Sequence, residues 1–268
     1  MKLTTPHKFT LLGRLIPGAI ALAAFVGVIA IQRSQLDRSF AGTIDPQQAE
    51  AQEAWRLKLL KQMPAFGFDN LVADWTFLNF LQYSGDTPAR EQTGYSLGEP
   101  YFDLITQRDP RFVGVYLFLS GTVSHQLAKP ERAIEFMDRG TAALSPQIDP
   151  KAFQVWRFKG LDQLLLVGDV PGAIQSHEMA AKWVVGTLDR DFEPLFRQTA
   201  NFLRRDPNSQ LVRFQAWTAV YAQAVAVRDQ KTIQRAETEI INLGGQKRLD
   251  AQGQVEFFLP KPQVPTSR

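Results

Sequence analysis

Asp109-Pro110 recurs as Asp149-Pro150, Phe118 as Phe158, and Ala133-Ile134 as Ala173-Ile174, each at the same offset of forty positions. A spacing kept by three separate pairs is an internal repeat. Each unit reads as an Asp-Pro cap, a helix of about 18 residues, a short polar break, and a second helix carrying the Ala-Ile pair. The breaks are Lys129-Pro130-Glu131 and Gly168-Asp169-Val170-Pro171. A helical hairpin of this size cannot bury its apolar face alone. Hairpins repeated at this period stack, and the stack builds a continuous core. The fold class expected is all-α.

The flanking chain agrees. Asp45-Pro46 supplies an N-cap and a proline at the first helical position. Trp55, Leu59 and Met63 follow at i, i+4 and i+8, a stripe on one side of a helix that Pro64 and Gly67 stop. The next helix runs from Asp69 through Leu71, Trp75, Leu78 and Leu81 to Ser84-Gly85-Asp86. Strand signals are nearly absent. Val255 to Leu259, followed by Pro260 and Pro262, reads as a tail. The expected organisation is an N-terminal segment 1–38, a connecting helix 39–68, a repeat domain 69–243 and a C-terminal tail 244–268.

Gly168-Asp169-Val170-Pro171-Gly172-Ala173 resembles the glycine-aspartate turn and helix-B alanine of tetratricopeptide repeats. Gly121 and Ala133 stand twelve apart, as the small residues of helices A and B do in that family. Asp206-Pro207-Asn208-Ser209 resembles the linker that opens a further repeat, with Trp217 in its helix A, and Ser84-Gly85-Asp86 the turn of a degenerate earlier one. The period is longer than the family's, which is roughly 34 residues. Leu161 replaces the helix-A glycine of the second unit, the last unit lacks a clear helix-B alanine, and a polar insertion follows Asp86. Phe66 to Asp86 is also similar to membrane-anchored repeat proteins of bacteria, cyanobacteria among them, with no assigned role. The resemblance implies a helical array that binds proteins, as an assembly or accessory factor of a membrane complex, photosynthetic in a cyanobacterial setting.

Leu15 to Ile31 is an uncharged, mostly apolar run. Its length stands at the lower limit for a membrane-spanning helix, about 17 residues. Arg14 and Arg33 flank it and can extend its span. The preferred reading is a retained single-pass anchor; a signal peptide cut after Val28-Ile29-Ala30, leaving a soluble scaffold, is the alternative. Lys2, Lys8 and Arg14 outweigh the charges after the run, which places the N-terminus in the cytoplasm. The body is then expected in the periplasm or thylakoid lumen. Residues 1–38 carry five cations against Asp37, and the rest holds 25 basic and 26 acidic residues. A nucleic-acid binder concentrates positive charge on its folded surface, so this balance argues against one.

No cysteine occurs, which excludes disulfides, thiolate metal sites and thiol catalysis. Gly94-Tyr95-Ser96-Leu97-Gly98 matches the G-x-S-x-G elbow, whose serine needs a strained turn between a strand and a helix. The residues before it are polar and not strand-like. A serine hydrolase using Ser96 is the alternative function, and no enzyme is the preferred reading. His177-Glu178 lacks the second histidine of a zinc helix. Asp189, Asp191 and Glu193 lack the glycine and the twelfth-position glutamate of a calcium loop. No cofactor or metal is expected.

In a tetratricopeptide-like stack, helix A of each unit lines the inner face. The resemblance therefore places Phe118, Thr122 and His125 there in one unit, Phe158 and Asp162 in the next, and Trp75, Asn79 and Gln82 in the degenerate first unit. Spacings of three and four keep each set on one helical face. These eight residues are the expected protein-binding surface.

Overall fold

Helix-period apolar spacing produces helices over most of the chain in the computed structural model, which describes residues 22–23, 25–29, 45–249 and 255–260. The chain divides into two units, Met1–Gln48 and Ala49–Arg268. In the first, residues 22, 23 and 25–29 are helical and exposed. Among the described residues no helix is long and apolar enough to cross a membrane. Most of the 15–31 run, and with it the cleavage and orientation expectations, lies outside the described residues.

Helix α1 spans Pro46–Gln62, starting at the proline that follows Asp45. Its inward side is narrow: Leu57 is its buried residue. Polar groups fix it to α4 (Gly98–Arg108). Tyr101 donates its hydroxyl to Glu53, Lys61 pairs with Asp103, and Arg108 donates to the carbonyls of Leu60 at 2.8 Å and Met63 at 2.5 Å. Those last bonds satisfy carbonyls that every helix C-terminus leaves open.

Helix α2 (Asp69–Gly85) packs on α4 through Phe80, whose ring centre lies 4.6 Å from Phe102 and 5.7 Å from Tyr101. The polar insertion between them is the short helix α3 (Thr87–Thr93), capped by Asp86, which accepts from the Ala89 N–H. This is the first hairpin.

The second hairpin joins α5 (Val115–Leu119) to α6 (Pro130–Ala143), and the third joins α7 (Phe153–Asp162) to α8 (Val170–Val184). Two expectations change here. The first helix of each unit does not start at its Asp-Pro. Asp109 accepts from the Arg111 N–H at 2.9 Å and Asp149 from the Lys151 N–H at 2.7 Å, side-chain turns that compete with helix and delay it to Val115 and Phe153. Nor do these helices stay regular. α5 continues as a wider π-helical stretch over Ser120–Gln126, and α7 over Gln163–Val167. There the Leu127 N–H reaches back five residues to Thr122 O, and the Gly168 N–H five residues to Gln163 O.

Each widened end closes on one left-handed residue: Ala128 at φ 51° and, at the equivalent place in the next unit, Gly168 at φ 82°. Asp169 then caps α8 by accepting from the Gly172 N–H at 2.9 Å.

Of the small residues the resemblance named, the helix-B alanines Ala133 and Ala173 are fully buried, but Gly121 is not at a helix contact. Gly121 is exposed, with open space around it. The close approaches are at Gly140, where a Cβ would collide with the Tyr116 hydroxyl, and at Gly160, where it would lie 3.1 Å from Ser176 Cβ.

After α8 a 3₁₀ turn, Arg190–Phe192, leads into α9 (Glu193–Arg205), which packs along α8. The fourth hairpin, α10 (Gln210–Ala226) and α11 (Gln230–Asn242), then folds back over the widened ends of α5 and α7. Trp217 packs with Ala128 and Leu166 and donates its indole N–H to Leu166 O at 3.0 Å. Thr232 Oγ1 donates to Gln126 O, and Arg235 pairs with Glu131 at 2.7 Å.

The expected C-terminal tail is in part a hairpin. β1 (Gln246–Leu249) pairs antiparallel with β2 (Val255–Phe258), and Phe257 is buried against Tyr221 with ring centres 4.8 Å apart.

Candidate functional site

The eight residues expected to bind a partner separate into an outer and an inner group. Trp75 and Gln82 are exposed on α2, and Asn79 between them is half-buried, its amide donating to Trp75 O. Phe118 is 41% exposed and meets Phe77 of α2 edge-on at 5.2 Å, so adjacent hairpins share an accessible aromatic contact. Phe158 is half-buried, with the Arg157 guanidinium 5.5 Å from its ring centre. His125 is half-buried, its Nδ1 3.2 Å from Ser120 O.

Thr122 and Asp162 do not belong to this surface. Thr122 is buried, its methyl pressed on Gly98 so tightly that a Cβ there would collide. Asp162 is 1% exposed. It accepts from Ser120 Oγ at 2.8 Å and from Ser124 Oγ, both in the widened end of α5. The helical spacing that put Asp162 beside Phe158 held, but the neighbouring hairpin covers that position. Burial pushes the Asp162 carboxyl above its ordinary range, against the opposing pull of Ser124 and Ser120. This is a polar bolt between hairpins.

Ser96 sits in a turn between α3 and α4, preceded by helix where an elbow needs a strand. Its hydroxyl donates to Glu50. The G-x-S-x-G match is thus a helix-to-helix connection, with Gly94 at φ 69° making the turn. Among the described residues no group of three His, Asp or Glu side chains is placed to hold a metal ion, and Glu193 stands in the first turn of α9, where a carboxylate favours the helix. His177 is buried at Gly160 and stacked on Phe196, with neither ring nitrogen hydrogen-bonded. Burial, with the charge of Arg157 behind it, pushes its pKa below the ordinary value.

A cleft of about 520 Å³ lies between α1 and α4, lined by Lys58, Lys61, Ser96, Glu99, Asp103 and Lys129. Its carboxylates already have partners within the fold. Glu99 pairs with Lys129 at 2.6 Å and Arg132 at 2.8 Å, and Asp103 with Lys61 and with Arg139 at 2.8 Å. Burial works to raise the Glu99 carboxyl, but its two cations together hold it below the usual range, and Asp103 behaves in the same way. Lys61–Asp103 thus ties α1 to α4, and the other pairs tie α4 to α6.

The largest feature is one the sequence shows only in part. The Trp55, Leu59, Met63 stripe turns outward, with Trp55 71% exposed. It continues through the connection, where Phe66 is 85% exposed at φ 50°, and onto α2 as Leu71, Trp75 and Leu78. The sequence signal for an outward face was charge: between Trp55 and Phe68 there are three cations and no acid.

Compared with protein-family models, curated proteins and solved structures, the chain gives no match.

Proposed function

We propose that this chain is a membrane-tethered helical scaffold that binds protein partners, serving assembly or support of a membrane complex. The 15–31 run would be the tether and the hairpins a tetratricopeptide-like array outside the cytoplasm, in periplasm or thylakoid lumen. The observation that carries the reading is the accessible aromatic side chains on successive first helices, Trp75 on α2 and Phe118 on α5. Accessible aromatic side chains on a rigid helical frame are what a protein groove offers a partner segment. Asn79 and Gln82 share the Trp75 side of α2 by helical spacing, and Phe158 and His125 are half-buried on the first helices of the next units.

A photo-crosslinking residue placed at Phe118, in the full chain at native expression, tests it. Cross-links to subunits of one membrane complex, lost on Trp75→Ala, are expected. Recovery of the uncrosslinked chain alone overturns the proposal.

A further inference from the structure

We infer that the outward face from Trp55 to Phe68 docks on an anionic lipid surface, holding the hairpin array against the bilayer. This rests on the membrane-tethered reading above.

The apolar side chains of this face have no inward role. Trp55, Leu59 and Met63 repeat at i, i+4 and i+8 on the side of α1 opposite buried Leu57, and Phe66 and Phe68 extend the face into the connection. Phe66 is the sharpest point. Its φ of 50° is a conformation that glycine adopts freely and that is strained for a residue bearing a side chain. The ring it carries there projects into solvent and packs on nothing that would offset the cost. A phenyl ring held out in this way serves something outside the chain.

Charge decides what that is. Arg56, Lys58 and Lys61 are the only charged residues from Trp55 to Phe68. Arg56 bonds Glu53 and Lys61 bonds Asp103, so both are held by the fold. Lys58 has no carboxylate partner among the described residues, and its amine lies 5.2 Å from the Trp55 ring centre. A second copy meeting this face would offer Lys58 another unpaired lysine and no free carboxylate. A bilayer with anionic headgroups matches it in both respects: tryptophan and phenylalanine settle at the interface, and lysine meets the headgroups. Position adds to this. The apolar run ends at Ile31 and α1 begins at Pro46. Fully extended, the linker between them reaches about 46 Å, so a tethered chain keeps the face at high effective concentration beside the membrane.

The chain has no cysteine, so a Gln62→Cys variant gives a single labelling site beside Trp55 and Leu59. The full chain carrying an environment-sensitive fluorophore there is reconstituted into phosphatidylcholine vesicles, with or without phosphatidylglycerol. The expected result is a blue shift at position 62, quenched by spin-labelled lipid and stronger with phosphatidylglycerol. The same label at Leu188→Cys, fully exposed beyond α8, should stay in water. Lys58→Glu with Phe66→Asp should abolish the shift while vesicle flotation and helical circular dichroism persist. A label at 62 that stays in water while the protein floats overturns this inference and leaves the tether standing. A blue shift that lipid quenchers do not touch means a protein covers the face, and also overturns it. Failure to float at all removes the tether and this inference with it.

Discussion

Asp162 of the third hairpin accepts a hydrogen bond from Ser120 of the second at 2.8 Å, and both groups are closed off from water. Ser124 donates to the other carboxylate oxygen. The carboxylate's hydrogen bonds come from hydroxyls, and His125 adds a weaker favourable charge interaction. Burial raises the folded-state pKa above the unfolded value near 3.9. The folded chain then binds more protons than the unfolded one between those two values, and stability falls as pH rises through that window. Asp162→Asn keeps a partner for both hydroxyls without the charge. It should unfold at equal or higher denaturant concentration at neutral pH, with this pH dependence gone. Ser124→Ala in the native background should cost about 1–3 kcal/mol, the range for a buried polar group left without its partner. Urea titrations across pH check both.

His177 titrates with the opposite sign. Its folded pKa lies below the ordinary 6.5, so the unfolded chain binds the extra proton. Stability should be full above about pH 6.5 and fall below it, by at most about 1.4 kcal/mol per pH unit. His177→Leu removes two unpartnered ring nitrogens and should flatten that acid limb. Melting temperatures measured between mildly acid and neutral pH read it directly.

Gly168 and Ala128 occupy the same place in the repeat and should respond differently to exchange. Gly168→Ala puts a methyl into the Arg213 guanidinium at φ 82° and should destabilise by at least about 1 kcal/mol. Ala128→Gly relieves a left-handed alanine but removes a buried methyl worth about 0.8 kcal/mol. Its unfolding midpoint should scarcely move.

Trp217→Phe leaves the Leu166 carbonyl without its indole donor while keeping most of the buried ring. A loss of about 1–3 kcal/mol is expected from the orphaned group. Hydrogen exchange should quicken first in α10 and α11, the hairpin this bond fastens.

Local chemistry was legible and long-range packing was not. The turns at Lys129-Pro130 and Gly168-Asp169 could be read because glycine, aspartate and proline act on their own backbone. The same local chemistry misled at Asp109 and Asp149, where the side chain captured its own turn before a helix could start. The widened ends of α5 and α7 carry no composition signal, since a π-helical turn differs from an α-helical one by a single inserted residue. Helical spacing put Thr122 and Asp162 on the same faces as Phe118 and Phe158 without revealing which face a neighbour would cover. The Trp55 stripe was legible as one face of a helix, but an amphipathic pattern fixes a face and leaves its occupant open. The β1–β2 strands are four residues each and draw their stability from Tyr221 far upstream.

The return of the fourth hairpin bears on how quickly the chain can find its structure. Within a hairpin, partners are a few tens of residues apart, and such loops close rapidly. Thr232 must meet Gln126, 106 residues away, and Arg235 must meet Glu131, 104 away. Ring closure over that length is entropically late, and folding rates fall as the mean separation of contacts grows. The hairpins would form first and the clasp last, as a separate slow phase. A stopped-flow refolding trace should lose that phase, and keep the fast one, when Trp217 is replaced.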